Sequence, residues 1–179
     1  FGAPIDERGA VAAALGVRAA DLAESPIQQV SCGVPYLLVP LRDRESVDRA
    51  VPDAAASRRL AAELGVALPI FLFAIVGDGA IYSRMFAPTF GIAEDPATGS
   101  AAGPVGCYVV RHGLVSAAAA AAIVSDQGIA MGRASRIHIA IARTADAITQ
   151  VRVGGEAVLV GRGVRPRDRD AVSGDARGC

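Results

Sequence analysis

The sequence predicts an α+β domain in which a bent β-sheet wraps around one central helix. Residues 101–110 are apolar on almost every side, and a helix of this kind is enclosed by the protein instead of lying on its surface. Strand-like segments precede and follow it, but they do not alternate regularly with helical segments. The missing alternation argues against a Rossmann or TIM-barrel architecture and favours a sheet that curves around the helix.

The other elements follow from periodicity and from turn residues. Before the central helix, the patterns predict helices at 6–15, 46–51 and 54–64, a short turn at 19–23, and strands at 27–30, 36–41, 70–76 and 80–86. The clearest hairpin joins the last two strands across Gly77-Asp78-Gly79. After the central helix, they predict a short helix at 117–122 and strands at 135–142, 147–153 and 156–163, with Gly154-Gly155 as a two-residue turn.

Composition and charge narrow the classes of function. The chain of 179 residues is 52% apolar, enough for one full core, and its formal net charge is zero. A neutral chain gives no sign of binding to nucleic acid or to an acidic membrane surface. The longest run of small apolar residues, 117–124, is too short to cross a bilayer. All 18 basic residues are Arg, so Schiff-base chemistry on a Lys of this chain is excluded.

The cysteines and histidines do not form a metal-binding pattern. Cys32, Cys107 and Cys179 lack the spacing of metal ligands, and they do not indicate a disulfide framework. His112 and His138 are far apart in the sequence, and neither is a convincing ligand or base. We therefore predict that the chain has no metal site, and this cysteine usage fits a reducing, cytoplasmic location.

Residues 84–104 hold the most informative segment. Glu94 and Asp95 are adjacent carboxylates, and the sequence Pro-Ala-Thr-Gly-Ser at 96–100 predicts a turn into the central helix. Small residues allow a ligand to approach the backbone closely, and the free N–H groups at the start of a helix attract anions. Asp95 is therefore expected at the rim of an anion-binding site, where it could act as an acid, a base or an anchoring carboxylate.

A helix cap is the alternative explanation of this segment. Ser, Thr and Asp before a helix commonly accept a hydrogen bond from a free backbone N–H group. A cap accounts for one hydrogen bond, whereas residues 91–100 also contain a Glu-Asp pair, two glycines and a proline. If the segment is a site, its small and acidic residues should line the mouth of a pocket at the start of the central helix. These residues are Asp95, Thr98, Gly99 and Ser100.

Four segments, spread across most of the chain, carry a family resemblance. They read Gln28-Gln-Val-Ser-Cys-Gly-Val-Pro, Arg84-Met-Phe-Ala-Pro with Gly91-Ile-Ala-Glu-Asp-Pro-Ala-Thr-Gly-Ser-Ala, Gln127-Gly-Ile-Ala-Met-Gly-Arg-Ala-Ser, and Val151-Arg-Val-Gly-Gly-Glu-Ala-Val. Each segment alone is a weak signal. Together and in this order, they resemble the phenazine-biosynthesis PhzF-like isomerase family.

The resemblance implies a diaminopimelate-epimerase-like fold, with two similar domains and an active site between them. It also implies a cofactor-independent isomerase that moves a proton on a small carboxylate substrate. At the matching positions, Asp95 and Ser100 would be catalytic. Asp95 would position the substrate or join the proton transfer, and Ser100 would hold a carboxylate. The substrate-binding positions would be Thr98, Gly99, Gly33 and Pro35. For Gly33 and Pro35, a tight turn between strands is an equally good explanation.

The chain departs from the family pattern in one respect. The other half of the family's proteins carries a general-base Glu in a Glu-Thr turn, and no part of this sequence resembles that half. Glu94 does not replace this base, because it is expected to be a structural partner of Arg84. Related racemases have a cysteine where this chain has Thr98, so racemisation by two thiols is disfavoured.

Three hypotheses remain. In the first, residues 1–164 are the C-terminal-half domain of a PhzF-like isomerase, the N-terminal half is absent or supplied separately, and residues 165–179 are a disordered tail. In the second, the chain is a repurposed half that binds a small molecule or acts as a cyclase in a biosynthetic pathway. In the third, it is a structural or subunit-pairing module. We expect the inner wall of the domain to be covered in a homodimer or by the missing half, because an apolar wall is otherwise left open to water.

Overall fold

The computed structural model describes residues 1–145 and 147–163 of the chain. The helices are α1 (Arg8–Leu15), α2 (Arg44–Asp48), α3 (Ala54–Glu63) and α4 (Gly99–Arg111). The strands are β1 (Gln28–Ser31), β2 (Pro35–Pro40), β3 (Ile70–Gly77), β4 (Ala80–Ala87), β5 (Ile92–Asp95), β6 (Ile123–Gln127), β7 (Ser135–Arg143) and β8 (Ile148–Gly155).

All of these strands belong to one mixed sheet. Its order is β1-β2-β3-β4-β6-β7-β8, and β5 pairs with a further part of β4. The pairs β2–β3 and β4–β6 are parallel, and the other neighbours are antiparallel. A parallel pair needs a crossover connection. The first crossover contains α2 and α3, and the second contains β5 and α4.

The sheet has a buried core on each face. On one face, α4 packs against β1, β2, β7 and β8. On the other face, the apolar side chains of α1, α2 and α3 pack against β2, β3 and β4. Residues 101–110 of α4 are all buried, which confirms the prediction of an enclosed helix. None of the helices in the described residues is long and apolar enough to cross a membrane.

Gly106 explains how α4 comes so close to the sheet. A Cβ atom at this position would lie 2.5 Å from Ile139 Cγ2 on β7, which is too close for any side chain. Two residues further along, Tyr108 is fully buried, and its hydroxyl donates to the carbonyl oxygen of Pro26 at 2.5 Å. This side chain therefore satisfies its only polar group while it fills the core beneath the curved sheet.

The predicted fold class is confirmed, together with most of the elements. The hairpin of β3 and β4 forms as expected, with Ile75 opposite Ile81. The first helix ends at Leu15, and Gly16 follows it in the left-handed conformation. The helix predicted at 46–51 is instead α2, which begins earlier because Asp43 caps it by accepting from the Ser46 N–H at 2.7 Å. The helix predicted at 117–122 is a single 3₁₀ turn, Ala119–Ala121.

Two predictions about the end of the sheet are wrong. Gly154 and Gly155 are not a turn, because they continue β8 and pair with His138 and Ile137 of β7. Residues 156–163, predicted as a strand, lie outside the helices and strands. β8 runs through both glycines along β7, so the chain does not turn back there to pair with the free edge of β8. The tail predicted at 165–179 lies outside the described residues.

β5 and β6 are strands that the sequence patterns missed. β5 (Ile92–Asp95) comes directly before the turn predicted at 96–100, and the sequence patterns predict no strand there. β6 mixes apolar and polar residues and follows an alanine-rich run, so its five residues give a weak periodic signal. Both strands pair with β4 and are essential to the position of the candidate site.

Candidate functional site

Asp95 and Gln127 come together where the edge of β4 changes its pairing partner. The first half of β4 pairs with β6, which places Ser83 opposite Gln127. The second half pairs with β5, which places Met85 opposite Asp95. Because Ser83 and Met85 are two residues apart, the ends of β5 and β6 meet at one point of the sheet. α4 begins four residues after Asp95, at the same point.

Hydrogen bonds join Asp95, Thr98 and Gln127 into one unit. The Thr98 hydroxyl donates to Asp95 Oδ2 at 2.6 Å. Gln127 Nε2 donates to the Asp95 carbonyl oxygen at 2.7 Å and to Thr98 Oγ1 at 2.9 Å, and Gln127 Oε1 accepts from the Thr98 N–H at 3.1 Å. Gln127 is fully buried and Thr98 is 4% exposed, whereas Asp95 is half-buried. A buried amide therefore holds the backbone that carries the Asp95 carboxylate.

The start of α4 presents free N–H groups beside this carboxylate. Thr98 is the N-cap residue, but its hydroxyl is bonded to Asp95, and no side chain of the described residues caps the helix. Gly99 and Ser100 follow it and are exposed. The first N–H groups of a helix have no partner within the helix and form the positive end of its dipole. This end of α4 is therefore suited to a carboxylate or another anion.

The hydrogen bonds contradict the explanation of Asp95 as a helix cap. Asp53 is a true cap in this chain, because its Oδ1 accepts from the backbone N–H of Ala56 at 2.6 Å. Asp95 instead accepts from the side-chain hydroxyl of Thr98. Its catalytic role stays a prediction, but its position is not explained by capping.

Glu94 points away from Asp95 and binds Arg84, as the sequence predicts. Arg84 Nε and Nη2 donate to the two carboxylate oxygens of Glu94, each at 2.8 Å. The same guanidinium donates through Nη1 to the carbonyl oxygens of Val47, Asp48 and Ala50. Both side chains are largely buried, at 11% and 15% exposure. This ion pair anchors β5 to the end of α2, so Glu94 has a structural role.

Ser100 is linked to β2 through Tyr36. The two hydroxyl oxygens are 2.7 Å apart, and Tyr36 is 4% exposed. Gly33 and Pro35 lie just before Tyr36, but within the described residues neither has a hydrogen bond to α4. Gly33 has φ 132° and its N–H bonds to Ser31 Oγ at 3.1 Å, which is also what a tight turn requires. Their role in substrate binding stays a prediction.

The start of α4 lies on an open surface of this domain. Three cavities of the described residues, of about 350, 390 and 500 Å³, lie elsewhere: Arg111 lines the first, Arg152 the second and Arg42 the third. Gly99 and Ser100 are exposed and Asp95 is half-buried, so these three residues lie at the surface of the part of the chain that the structure describes. The expected pocket mouth at this place stays a prediction, and it requires a second wall.

Sequence reasoning missed three residues that build this wall. Gln127 and Gly128 belong to a segment that carries the family resemblance, but nothing in the sequence shows that they touch the Asp95 turn. Gly128 has φ 76°, and a Cβ there would lie 2.7 Å from the carbonyl oxygen of Pro96, so glycine lets the two segments pack closely. Tyr36 directly follows Pro35, which was predicted to bind substrate. This proximity was the only signal in the sequence for the role of Tyr36.

Comparisons with known proteins agree with the sequence resemblance. The family described as phenazine biosynthesis-like proteins matches residues 4–163. An uncharacterized isomerase, YddE, of Salmonella typhimurium is 31% identical over 156 residues, which cover 86% of this chain and 52% of that protein. A trans-2,3-dihydro-3-hydroxyanthranilate isomerase of Pseudomonas chlororaphis is 43% identical over 81 residues, covering 45% of this chain and 28% of that protein.

Solved structures show the same fold. A predicted epimerase from Pseudomonas aeruginosa superposes with a TM-score of 0.67 at 35% identity, over 90% of this chain and 56% of that one. A PhzF-family phenazine biosynthesis protein from Bacillus anthracis superposes with a TM-score of 0.63 at 17% identity, over 82% of this chain and 55% of that one. The chain thus spans about half the length of the relatives that match most of it.

Proposed function

This chain belongs to the PhzF-like isomerase family of phenazine biosynthesis-like proteins, and we propose that it forms one wall of an isomerase active site. The reaction is a proton transfer on a small carboxylate metabolite, carried out by side chains without a cofactor. Asp95 positions the substrate or takes part in the proton transfer. The first turn of α4 holds the substrate's carboxylate.

The unit of Asp95, Thr98 and Gln127 is the observation that carries this proposal. A general acid or base works only when it is held within hydrogen-bonding reach of the proton that it moves. The Thr98 hydroxyl bonds to one oxygen of the Asp95 carboxylate, and the buried Gln127 fixes the backbone on both sides of the turn. Within the described residues, no hydrogen bond reaches the second oxygen, Oδ1, so that atom is available for a substrate.

The first turn of α4 supplies the complementary charge. Gly99 and Ser100, which supply two N–H groups and one hydroxyl, are exposed residues at the start of the helix. Tyr36 orients this hydroxyl from the buried side. Only a short turn joins Asp95 to the start of α4. A substrate carboxylate bound at the helix start would therefore place its neighbouring carbon atoms next to Asp95.

The second wall is proposed to come from the other half of the enzyme or from a second copy of the chain. One observation that supports this is the apolar surface left open after β8. Val158, Leu159 and Val160 are 84%, 70% and 96% exposed. Apolar side chains that follow one another in this way are usually covered by protein. The general base opposite Asp95 would then belong to that second wall.

The test is solvent deuterium exchange in the complete enzyme that contains this chain. Trans-2,3-dihydro-3-hydroxyanthranilate is a suitable first substrate, because a relative with 43% identity is an isomerase of that compound. We expect Asp95→Asn to slow product formation and deuterium entry by about 10²–10⁴-fold, the usual contribution of an acid–base group. Stability should change little, because the amide oxygen still accepts from Thr98.

Asp53→Asn is the matched control, since Asp53 also precedes a helix but only caps it. Asn caps a helix as well as Asp does, so this variant should keep full activity and stability. Unchanged turnover in Asp95→Asn would contradict the proposal. If the wild-type enzyme bound a carboxylate such as anthranilate without any exchange, the chain would instead act as a small-molecule-binding protein.

A further inference from the structure

Two cysteines that are far apart in the sequence meet beside the candidate site. Cys32 lies in the loop between β1 and β2, and Cys107 lies in the middle of α4. Their Sγ atoms are 3.9 Å apart, although the residues are separated by 75 positions. Sulfur atoms at this distance are in contact. The spacing of the two cysteines matches no known motif, so this contact could not be predicted from the sequence.

The two sulfur atoms have different environments. Cys32 is exposed, whereas Cys107 is 4% exposed and belongs to the core around α4. Burial, and next the neighbouring Cys32, raises the pKa of the Cys107 thiol to about 12. Because the thiolate is the reactive form of cysteine, Cys32 should react first with an oxidant from solution. Cys107 is then the only thiol of the described residues in contact with it.

The loop rests on a small residue of α4. A Cβ atom on Gly103 would lie 3.5 Å from both Cβ and Sγ of Cys32. Glycine at this position, one turn before Cys107, leaves room for the Cys32 side chain against the helix. The sulfurs must approach to about 2.05 Å to form a bond. An exposed loop with Gly33 next to Cys32 is the part of the chain that can make this movement.

We propose that Cys32 and Cys107 form a reversible disulfide that ties the β1–β2 loop to α4 when the protein meets a peroxide. In the first step, the Cys32 thiolate attacks a peroxide oxygen, the O–O bond breaks, and Cys32 becomes a sulfenic acid. In the second step, Cys107 sulfur attacks Cys32 sulfur, the S–O bond breaks, and the proton of Cys107 leaves with the hydroxide as water. Two thiols and one hydrogen peroxide thus yield one disulfide and two waters.

The bond would restrain the segment that leads to the candidate site. Gly33 and Pro35 follow Cys32 directly, and Tyr36 then bonds to Ser100 at the start of α4. A covalent tie at Cys32 therefore limits how far this loop can open. The formation of the disulfide does not depend on the proposed isomerase activity, and it can be measured without substrate.

The experiment compares reduced protein with protein treated with hydrogen peroxide at low protein concentration. Peptide mapping without reductant should find Cys32 joined to Cys107, and the free thiols should fall from three to one. Cys179, which lies outside the described residues, should remain free to react with an alkylating agent. Dithiothreitol should restore all three thiols. The oxidised form should also melt at a higher temperature than the reduced form.

Three variants serve as controls. Cys32→Ser and Cys107→Ala should each abolish the cross-link and the shift in melting temperature, whereas Cys179→Ser should keep both. Cys32 is exposed, so its variant should fold even if the core substitution at Cys107 does not. The proposal is overturned if the three possible pairings form in equal amounts in the folded protein. It is also overturned if Cys32 is oxidised to the sulfinic acid without any link to Cys107.

Discussion

Replacing Glu94 with Ala should destabilise the protein strongly, because it leaves a buried guanidinium without its counter-ion. Glu94 accepts two hydrogen bonds of 2.8 Å from Arg84, and the two side chains are 15% and 11% exposed. Arg84 also stacks over the ring of Phe86, 4.7 Å from its centroid, so it cannot swing out to water without disrupting the core.

The size of the effect follows from this burial. Removing one partner of a buried ion pair typically costs 3–5 kcal/mol. Arg84 keeps three carbonyl acceptors on Val47, Asp48 and Ala50, so its charge remains partly satisfied. We therefore expect the lower end, about 3 kcal/mol, which corresponds to a fall in Tm of roughly 6–12 °C for a domain of this size.

The assay is chemical and thermal unfolding of Glu94→Ala beside a matched surface variant, Asp126→Ala. Asp126 forms the same kind of bond with Arg136, at 2.9 Å, but these side chains are 36% and 64% exposed. Exposed pairs contribute about 0–1 kcal/mol. The double variant Arg84→Met with Glu94→Leu should recover much of the loss, since replacing both charges removes the unpaired one.

This reasoning would be refuted if Glu94→Ala and Asp126→Ala lowered the free energy of unfolding by equal, small amounts. They would show that water reaches Arg84 despite its burial. A large fall in activity of the complete enzyme with unchanged stability would also refute it, because Glu94 would then act in the chemistry and not in the anchoring of β5.

Three further predictions test the surroundings of the site. Gln127→Leu should cost about 2–3 kcal/mol in urea unfolding, since buried polar groups lose their partners. Gly128→Ala should cost about 2–4 kcal/mol, because a Cβ would lie 2.7 Å from the Pro96 oxygen at φ 76°. Gly132→Ala, with φ 68° and open space, should cost only about 1 kcal/mol. Burial, and next a neighbouring Arg, lowers the pKa of His112. The unfolded state thus binds the proton more readily, so the free energy of unfolding should decrease as the pH is lowered below about 7.5, and it should decrease less in His112→Gln.

The fold was predictable because its signals are local. Residues 101–110 are apolar on all sides, so the whole segment must be buried. Because strands precede and follow it, a sheet that curves around the helix is the structure that can bury it. The β3–β4 hairpin carries its own turn at residues 77–79. The end of the sheet was not predictable in this way. Gly154 and Gly155 have the composition of a turn, but pairing with β7 keeps them extended, and tertiary contacts decided the outcome.

The site was predictable only as far as its residues lie next to one another in the chain. Asp95, Thr98 and the start of α4 fall within one turn, and their chemistry is visible in the sequence. Gln127 is separated from Asp95 by a parallel crossover, so it reaches the turn only because β5 and β6 share the edge of β4. No periodic pattern in the sequence predicts which side chains meet at such a junction. The buried amide of Gln127 shows that Asp95 is a fixed carboxylate and not a simple cap. Only the structure could reveal this contact.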